Sequence, residues 1–541
     1  MRRLWLSLAM MVLGAALMVM AQLAGATPDR KGGIFRVGTT GASVQVDPQL
    51  AYITTAWWLE YATAAKLYNY SPRGALVPEV ASRFAVSNQG RRYTFFIRKG
   101  FRFSDGTAVT PSSFKYAINR VANHDLASPG AAFITDANGT EIVGANEVNG
   151  GQATDARGVR VRGNRLIIDL RRPDGAFLSK LTMPFFQATS RKLPLTQEVV
   201  SVSGIRDMPS AGPYAYSGND VNTLTSIRQN PFWKPGPGRR GPRNLRGLDV
   251  QWNLNEETAY NQVVANELDE GPLPAAHVQE VANRFGVNKS RFWAKPTNCV
   301  GWVLFNNDGS LLNKNPGMRK ALNWALDRSD YVAQAGPYAG SPWTHILPRG
   351  FPGSVSAKTR QPYTPRSIAK ARQLAAGHFR DGTITVYYRS SGTTNNAQAE
   401  IVRSNLIELG FDPGNITMKG FTGGNIYDAW GARGNDADIG VSMAACPDIP
   451  DSDPYTFFGP LRPSLAGTKY DAKIVAAARL TGKARLRAFG KLDLELTTNF
   501  APLAVMGSYN NRYFFSNRVD PRSLRYHGIY QDWSIPALAL K

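Results

Sequence analysis

Cysteine and histidine are both scarce in this chain. Of 541 residues only two are cysteines, Cys299 and Cys446. Two thiols cannot build a cysteine-based metal site, but in an oxidising compartment they permit one disulfide, with two buried thiols as the alternative. The five histidines lack the i, i+4 spacing that places two ligands on one helix face. They are His124, His277, His345, His378 and His527. We therefore expect no metal site and no cofactor.

The common catalytic motifs are also missing. The sequence has no Gly-x-Ser-x-Gly elbow, no His-Glu-x-x-His helix, no Gly-x-x-x-x-Gly-Lys loop and no dinucleotide-binding fingerprint. Two Ser-x-x-Lys matches, Ser112 to Lys115 and Ser367 to Lys370, lack the Lys-Thr-Gly and Ser-Asp-Asn companions of serine acyl enzymes. We expect a protein that is not an enzyme, and a serine acyl enzyme is the remote alternative.

Only the N-terminus carries a long apolar run. Arg2 and Arg3 precede an apolar stretch over residues 4–20, and Ala24-Gly25-Ala26 then supplies small residues for cleavage. This pattern predicts a signal peptide over residues 1–26 and an extracytoplasmic protein, with an uncleaved membrane anchor as the alternative. Because no cysteine follows the apolar stretch, the chain is not expected to be a lipoprotein.

The charge is strongly one-sided, with 63 Lys and Arg against 40 Asp and Glu, a net charge of +23. The basic residues are scattered as pairs such as Arg91-Arg92, and no sustained basic tract or nucleic-acid motif occurs. This distribution favours a solvated basic surface over a nucleic-acid partner. A surface adhesin that binds anionic polymers is the alternative that the charge leaves open.

The length and the residue pattern indicate several α/β units. Domains usually hold about 100 to 200 residues, so the chain should form two or three. Thr110 can cap a helix that Pro111 begins without losing a hydrogen bond. Strands and helices alternate, which is typical of α/β lobes with largely parallel sheets. The predicted strands are 92–99, 165–170, 248–252, 299–305 and 383–388, and the predicted helices are 112–121, 256–268, 318–335 and 397–409.

An acidic cluster stands out against the basic background. Residues 448–454 read Asp-Ile-Pro-Asp-Ser-Asp-Pro and directly follow a strand-like segment over 438–443. Carboxylates at the carboxyl end of a strand in an open α/β sheet face the crevice where such folds bind ligands. Asp-Pro and Pro-Asp pairs also form turns, and both interpretations can hold together.

Several motifs occur in the order found in the extracellular solute-binding proteins that include the oligopeptide-, dipeptide- and nickel-binding receptors of ABC transporters. The family's signature region resembles Leu76-Val77-Pro78-Glu79-Val80-Ala81, Tyr93-Thr94-Phe95 and Phe103-Ser104-Asp105-Gly106, which precede a helix carrying Arg120. Further similar segments are Ala211-Gly212-Pro213-Tyr214, Asn230-Pro231-Phe232-Trp233, Leu304-Phe305-Asn306, Met318-Arg319-Lys320-Ala321-Leu322 and Ala501-Pro502-Leu503-Ala504-Val505. The chain is similar to this family over nearly its whole mature length.

The resemblance implies a two-lobed, type II periplasmic-binding-protein-like α/β fold with an extra subdomain inserted in the first lobe. It places lobe I at 27–57, 207–296 and 503–541, the inserted subdomain at 58–206, and lobe II at 297–502. The two crossing segments are expected near Thr297 and Pro502. A monomer that hands its ligand to the membrane permease of an ABC transporter is the implied working form.

The resemblance also implies a ligand held between the lobes, most readily a peptide, with a nickel chelate or an oligosaccharide as alternatives. Asp448 is the best match to the carboxylate that pairs with a peptide's ammonium in such receptors, and Asp451 is second. The family's Trp-containing strand before this loop is replaced here by Val441-Ser442-Met443-Ala444-Ala445-Cys446, so the ligand's identity is not fixed. The predicted ligand-binding residues are Gly41, Ala42, Ser43, Trp302, Asn306, Asp448 and Asp451.

Overall fold

The structure is a computed structural model. It describes residues 32–41, 45–72, 74–136, 141–196, 208–220, 223–238, 241, 243–307, 311–312, 315–356, 361–377, 382–422, 425–432, 434–447 and 457–541. The predicted signal peptide and the predicted ligand-binding residues Ala42, Ser43, Asp448 and Asp451 lie outside these ranges. Within them, no helix combines the length and the apolar character needed to cross a bilayer.

Strands and helices follow one another along the whole described chain. The strands are β1 Ile34–Gly38, β2 Tyr68–Tyr70, β3 Leu76–Pro78, β4 Ala81–Ser87, β5 Arg92–Ile97, β6 Val159–Arg162, β7 Arg165–Asp169, β8 Tyr214–Asp220, β9 Leu224–Gln229, β10 Gly247–Gln251, β11 Glu270–Gly271, β12 Phe292–Phe305, β13 Gly340–Pro342, β14 Ile384–Arg389, β15 Ile416–Phe421, β16 Ile439–Ala445, β17 Leu503–Phe515, β18 Tyr526–His527 and β19 Asp532–Trp533. The helices are α1 Thr54–Thr63, α2 Pro111–Ala122, α3 Ala145–Asn149, α4 Phe177–Lys180, α5 Glu256–Val264, α6 Val278–Phe285, α7 Pro316–Ala325, α8 Arg328–Ala333, α9 Ile368–Ala375, α10 Thr393–Leu409, α11 Asn425–Gly431, α12 Arg462–Leu465, α13 Lys469–Arg479 and α14 Gly482–Glu495.

One large sheet runs through the molecule in the order β15-β14-β16-β12-β17-β11-β1-β10-β9-β8, with β13 also paired to β17. The long strands β12 and β17 are antiparallel and stay paired from Phe292 opposite Phe514 to Leu304 opposite Leu503. They join β1 and β8–β11 on one side to β14–β16 on the other. The fold is therefore a mixed α/β fold whose two halves share two continuous strands.

The expectation of largely parallel sheets is wrong. Parallel pairing occurs where β1 meets β10 and β11, and where β14 meets β15 and β16. The pairs β8–β9 and β9–β10 are antiparallel, as are the pairs that β12 makes with β16 and β17. The short connection between β8 and β9 permits only antiparallel pairing, and β12 pairs with strands that are far from it in the sequence. The alternation of helices and strands reveals neither feature.

Both faces of the large sheet are covered. Along β17, Leu503 and Val505 point into one core cluster and Ala504 and Met506 into another, on the opposite face. This alternation follows from the two-residue period of a strand. An uninterrupted apolar run in the sequence is thus the expected signature of a strand buried on both sides. Near the end of the same strand, Phe514 again faces away from its neighbours Tyr513 and Phe515.

A separate core surrounds the antiparallel sheet β4-β5-β7-β6. Its apolar face carries Phe95 and Ile97 of β5, and helix α2 packs Phe114 and Ile118 into the same cluster. Thr110 and Ser113 form the reciprocal capping box that begins α2, so the predicted helix start is confirmed.

Helix α1 buries a carboxyl group, Glu60, of which 1% is exposed. Gln187 donates its Nε2 hydrogen to Oε2 of Glu60 at 2.6 Å, and the Tyr216 hydroxyl donates to Oε1 at 3.1 Å. Burial raises the pKa of Glu60 to about 8, and the nearby charge of Asp47 adds to the rise. The carboxyl group is therefore protonated in the folded protein at neutral pH.

This raised pKa predicts that the protein loses stability as the pH rises through neutrality. Between the unfolded and the folded pKa, the folded state holds a proton that the unfolded state has lost, so raising the pH favours unfolding. We expect the free energy of unfolding to fall with pH in the wild type and in Glu60→Gln at different rates. Between pH 5.5 and 7.5 the slope of the wild type should be steeper by about 1.4 kcal/mol per pH unit. Urea denaturation at three pH values measures the slopes. Glu400→Gln, at an exposed position of α10, should keep the wild-type slope, and parallel profiles for wild type and Glu60→Gln would contradict the prediction.

Candidate functional site

A cavity of about 200 Å³ lies between the two halves of the fold, and we call it the cleft cavity. One wall comes from the start of α1 and the residues before it, and the opposite wall comes from the end of β16. A third segment near the C-terminus closes it. Its lining consists of Tyr52, Ile53, Thr54, Trp57, Tyr61, Cys446, Pro447, Ile529, Tyr530 and Gln531.

The α1 wall exposes apolar side chains that are nevertheless held in place. Tyr52 is 39% exposed and Ile53 54% exposed, and both line the cleft cavity. The Tyr52 ring packs against Phe185 with centroids 5.4 Å apart, and Trp57 donates its indole N–H to the carbonyl of Ala51 at 2.7 Å. A fixed, exposed apolar surface is typical of a binding site, because it is formed before the ligand arrives.

The opposite wall is tied to the long strand β12 by a disulfide. Cys299 lies in β12, Cys446 directly follows β16, and their sulfurs are bonded at 2.02 Å. The neighbouring residues Val300 and Ala445 are paired across the two strands. The sequence left open either a disulfide or two buried thiols, and the structure has the disulfide. It fixes the chain at Cys446 and Pro447, immediately before the acidic segment 448–454.

The C-terminal hairpin β18–β19 holds the region where β12 and β17 change register. This shift falls between Pro296 and Val300 of β12. The Tyr526 hydroxyl donates to the carbonyl of Pro296, Asn298 donates to the carbonyl of Gly528, and the Tyr513 hydroxyl donates to the carbonyl of Gln531, each at 2.7 Å. The same hairpin therefore contacts both the crossing strands and the cleft cavity.

The structure does not bring the described predicted residues into the cavity lining. Gly41 is exposed after β1, where its carbonyl accepts from the amide of Asn253 at 2.9 Å. Trp302 is 4% exposed and packs in a core cluster with Trp343. Asn306 donates to the carbonyl of Ala437 at 2.8 Å and lies seven residues beyond Cys299, about 23 Å along an extended strand. The roles of these three residues as ligand contacts stay predictions.

Sequence reasoning missed the aromatic wall, although a signal for it exists. Residues 56–62 read Ala-Trp-Trp-Leu-Glu-Tyr-Ala, so a helix over them is apolar on nearly every side. Such a helix must be buried between two layers or exposed to a ligand. In the structure α1 is buried between two layers, since Trp57 and Trp58 belong to different core clusters. The N-terminal end of α1 lines the cleft cavity, where a ligand can reach it.

Neither Ser-x-x-Lys match is arranged as a serine–lysine pair. In the first, Lys115 donates to the carboxylate of Asp155 at 2.7 Å. In the second, Ser367 caps α9 by accepting from the backbone amide of Lys370 at 3.3 Å, while the Lys370 ammonium lies 4.1 Å from the Trp324 ring centroid. Both matches are explained by the N-terminal turns of helices. Among the described residues, no group of three or more His, Cys, Asp or Glu side chains is gathered for a metal.

Comparison with known proteins identifies the family. The sequence model of the bacterial extracellular solute-binding proteins, family 5 (middle part), matches residues 75–466. The oligopeptide-binding protein OppA of Bacillus subtilis is 23% identical over 254 residues, which span 47% of this chain and 45% of that protein. The match thus covers less than half of the Bacillus protein. The glutathione-binding protein GsiB of Escherichia coli is 25% identical over 412 residues, 74% of this chain and 72% of that protein.

Solved structures show the same fold. The clavulanic acid biosynthesis oligopeptide binding protein 2 superposes with a TM-score of 0.81 at 21% sequence identity, covering 94% of this chain and 96% of that one. At this identity the likeness establishes the fold, which is the two-lobed type II arrangement expected from the sequence. The match to the family extends over well more than half of the sequence. The chain belongs to family 5 of the bacterial extracellular solute-binding proteins.

Proposed function

We propose that this protein is the extracytoplasmic receptor of an ABC transporter, which captures a small solute, foremost a peptide, by closing two lobes around it. The observation that carries the proposal is the cleft cavity, whose walls come from both halves of a sheet joined by two strands. Contacts made by both walls exist only when the halves are close together. A ligand therefore shifts the equilibrium toward the closed form, which a membrane permease can distinguish from the open one.

The proposed hinge is the register shift between β12 and β17. It lies at Pro296 to Val300, opposite Asn510 and Ser508. We retain lobe II over 297–502 and the inserted subdomain over 58–206 as the working division. Residues 503–507 still pair with the lobe II part of β12. With the hinge at the register shift, the C-terminal boundary of lobe II would therefore lie at Ser508 instead of Pro502.

A peptide is the favoured ligand for two reasons. The acidic segment 448–454 begins directly after Pro447, which lines the cleft cavity, and a carboxylate pairs well with a peptide's terminal ammonium. Two relatives are named for binding oligopeptides and glutathione, which are peptides. The relatives are binding proteins, and we propose that this chain likewise acts without catalysis, as an exported monomer with no metal or nucleic acid.

The experiment combines identification of the bound solute with a test of its position. Mass spectrometry of the denatured protein should release a co-purified peptide, and titration of that peptide should reduce the radius of gyration in X-ray scattering. Ile53→Lys, in the cavity wall, should weaken binding, whereas Val264→Lys, at another exposed apolar position in α5, should not. A released nickel chelate or oligosaccharide would replace the peptide in the proposal. Equal affinity for both variants would remove the cleft cavity from it, and ligand binding without compaction would reject lobe closure.

A further inference from the structure

A second and larger cavity lies outside the cleft, and we call it the C-terminal cavity. Its volume is about 550 Å³, within the range of small-molecule sites. It lies between α1 and the segment 520–539, and none of its described lining residues comes from 245–519. We propose that this cavity is a second ligand site, which takes a flat aromatic or similarly apolar group carrying a carboxylate. The proposal goes beyond the function assigned to the cleft.

Aromatic side chains form the walls and are fixed before any ligand binds. The indole N–H of Trp58 donates to the carbonyl of Trp533 at 2.7 Å. Tyr61 and Tyr530 are stacked with centroids 3.5 Å apart, and Trp533 packs edge-on against Tyr513 at 5.3 Å. Because these rings are held by one another, a ligand would not have to order them. Ring surfaces of this kind favour a flat apolar group.

The charges around the cavity favour an acid. Arg522 and Asp520 both line it and neutralise each other through two contacts of 3.1 Å. Arg525 also lines it, is exposed, and its guanidinium forms no hydrogen bond or ion pair within the described part of the chain. One positive charge is therefore left for a ligand's carboxylate, which guanidinium binds in a bidentate geometry.

The C-terminal cavity is separated from the cleft cavity by a shared wall. Tyr61 and Tyr530 line both cavities, and their stacked rings stand between them. All described residues of the larger cavity belong to one half of the fold, so its ligand needs no lobe closure. Binding there should be independent of residues in the cleft, which distinguishes a second site from an extension of the first.

The test uses indole-3-propionate and its neutral amide as a matched pair of probes in calorimetry. Wild type should bind the acid about fivefold more tightly than the amide, as expected for a partly exposed ion pair. Arg525→Glu should abolish that preference, and Ala537→Phe, which places a ring in the cavity, should abolish binding of both. Arg479→Glu makes the same charge change at an exposed position of α13 and should behave as wild type.

Four results would overturn the second site. The first three are no binding of the acid up to about 1 mM, equal affinity for acid and amide in wild type, and an unchanged preference in Arg525→Glu. The fourth is a loss of acid binding in Ile53→Lys, which would place the probe in the cleft. Arg525→Glu changes an exposed side chain, so the test does not depend on whether Ala537→Phe folds. Peptide titrations of the same variants report on the cleft separately, so failure of one site is distinguishable from failure of the other.

Discussion

Arg120→Met is expected to destabilise the protein by about 3 to 5 kcal/mol. Arg120 and Asp47 are both fully buried, with two contacts of 2.6 Å between guanidinium and carboxylate. Arg120 also donates to Gln49 at 2.7 Å and to the carbonyl of Pro194 at 2.6 Å. Methionine leaves the Asp47 carboxylate buried without its cation, and removing one partner of a buried pair costs far more than the pair contributes. Chemical denaturation measures the loss.

A surface pair gives the matched control. Arg92 pairs with Asp169 at 2.6 Å, but its side chain is 43% exposed. Arg92→Met should therefore cost less than about 1 kcal/mol. Replacing both partners of the buried pair by apolar residues, as in Asp47→Leu with Arg120→Met, should recover part of the loss. Equal costs for Arg120→Met and Arg92→Met would contradict the prediction.

The buried pair illustrates how far the sequence can predict this fold. The helix that carries Arg120 follows from local chemistry, because the cap at Thr110 and the proline after it act within one turn. The resemblance singled out Arg120 as part of a motif. Its partner Asp47 lies 73 residues earlier, and no periodicity connects the two positions. Long-range pairing of this kind depends on the packing of α2 against the first segments of the chain.

The predicted ends of helices and strands are wrong where a capping or polar residue interrupts the apolar pattern. The apolar spacing predicted a single helix over 318–335, but the structure has α7 ending at Ala325 and α8 starting at Arg328. The carboxylate of Asp327 accepts from the amides of Ser329 and Asp330, so it caps a new helix and interrupts the first. Strand β12 is longer than predicted, because the polar residues Thr297 and Asn298 hide its continuity from Phe292.

The sequence predicts the two lobes that enclose the proposed site, but it does not predict which residues line the cleft cavity. The aromatic character of Trp302 predicts a ligand contact, yet Trp302 packs in the core. The rings that line the cleft cavity belong to Tyr52 just before α1, to α1 itself and to the C-terminal hairpin. Whether an aromatic residue faces a core or a cavity is decided by which segments meet it. Here the segments are distant in sequence, as Tyr61 and Tyr530 show.

Asp448→Asn is expected to weaken the binding of a peptide with a free amino terminus by about 2 to 5 kcal/mol. Asp448 lies outside the described residues, but it directly follows Pro447, which lines the cleft cavity, and Cys446, which the disulfide fixes to β12. In a closed cleft, a carboxylate that pairs with a peptide's ammonium is shielded from water, so the loss of its charge leaves the ammonium buried without a partner. Asparagine keeps the size and one acceptor oxygen of the side chain while the charge is removed.

The decisive comparison is between a free and an N-acetylated form of the same peptide, measured by calorimetry. Acetylation removes the ammonium and should therefore weaken binding to wild type but hardly affect Asp448→Asn. If the two changes act through one ion pair, their effects are not additive, and the coupling energy measures that pair. Asp451→Asn, in the same acidic segment, should retain most of the wild-type preference, because Asp451 is farther along the chain from the fixed Pro447. Additive effects of acetylation and Asp448→Asn would show that the ammonium is bound elsewhere. If the carboxylate contacts the ammonium directly, removing either group leaves little further effect for removing the other.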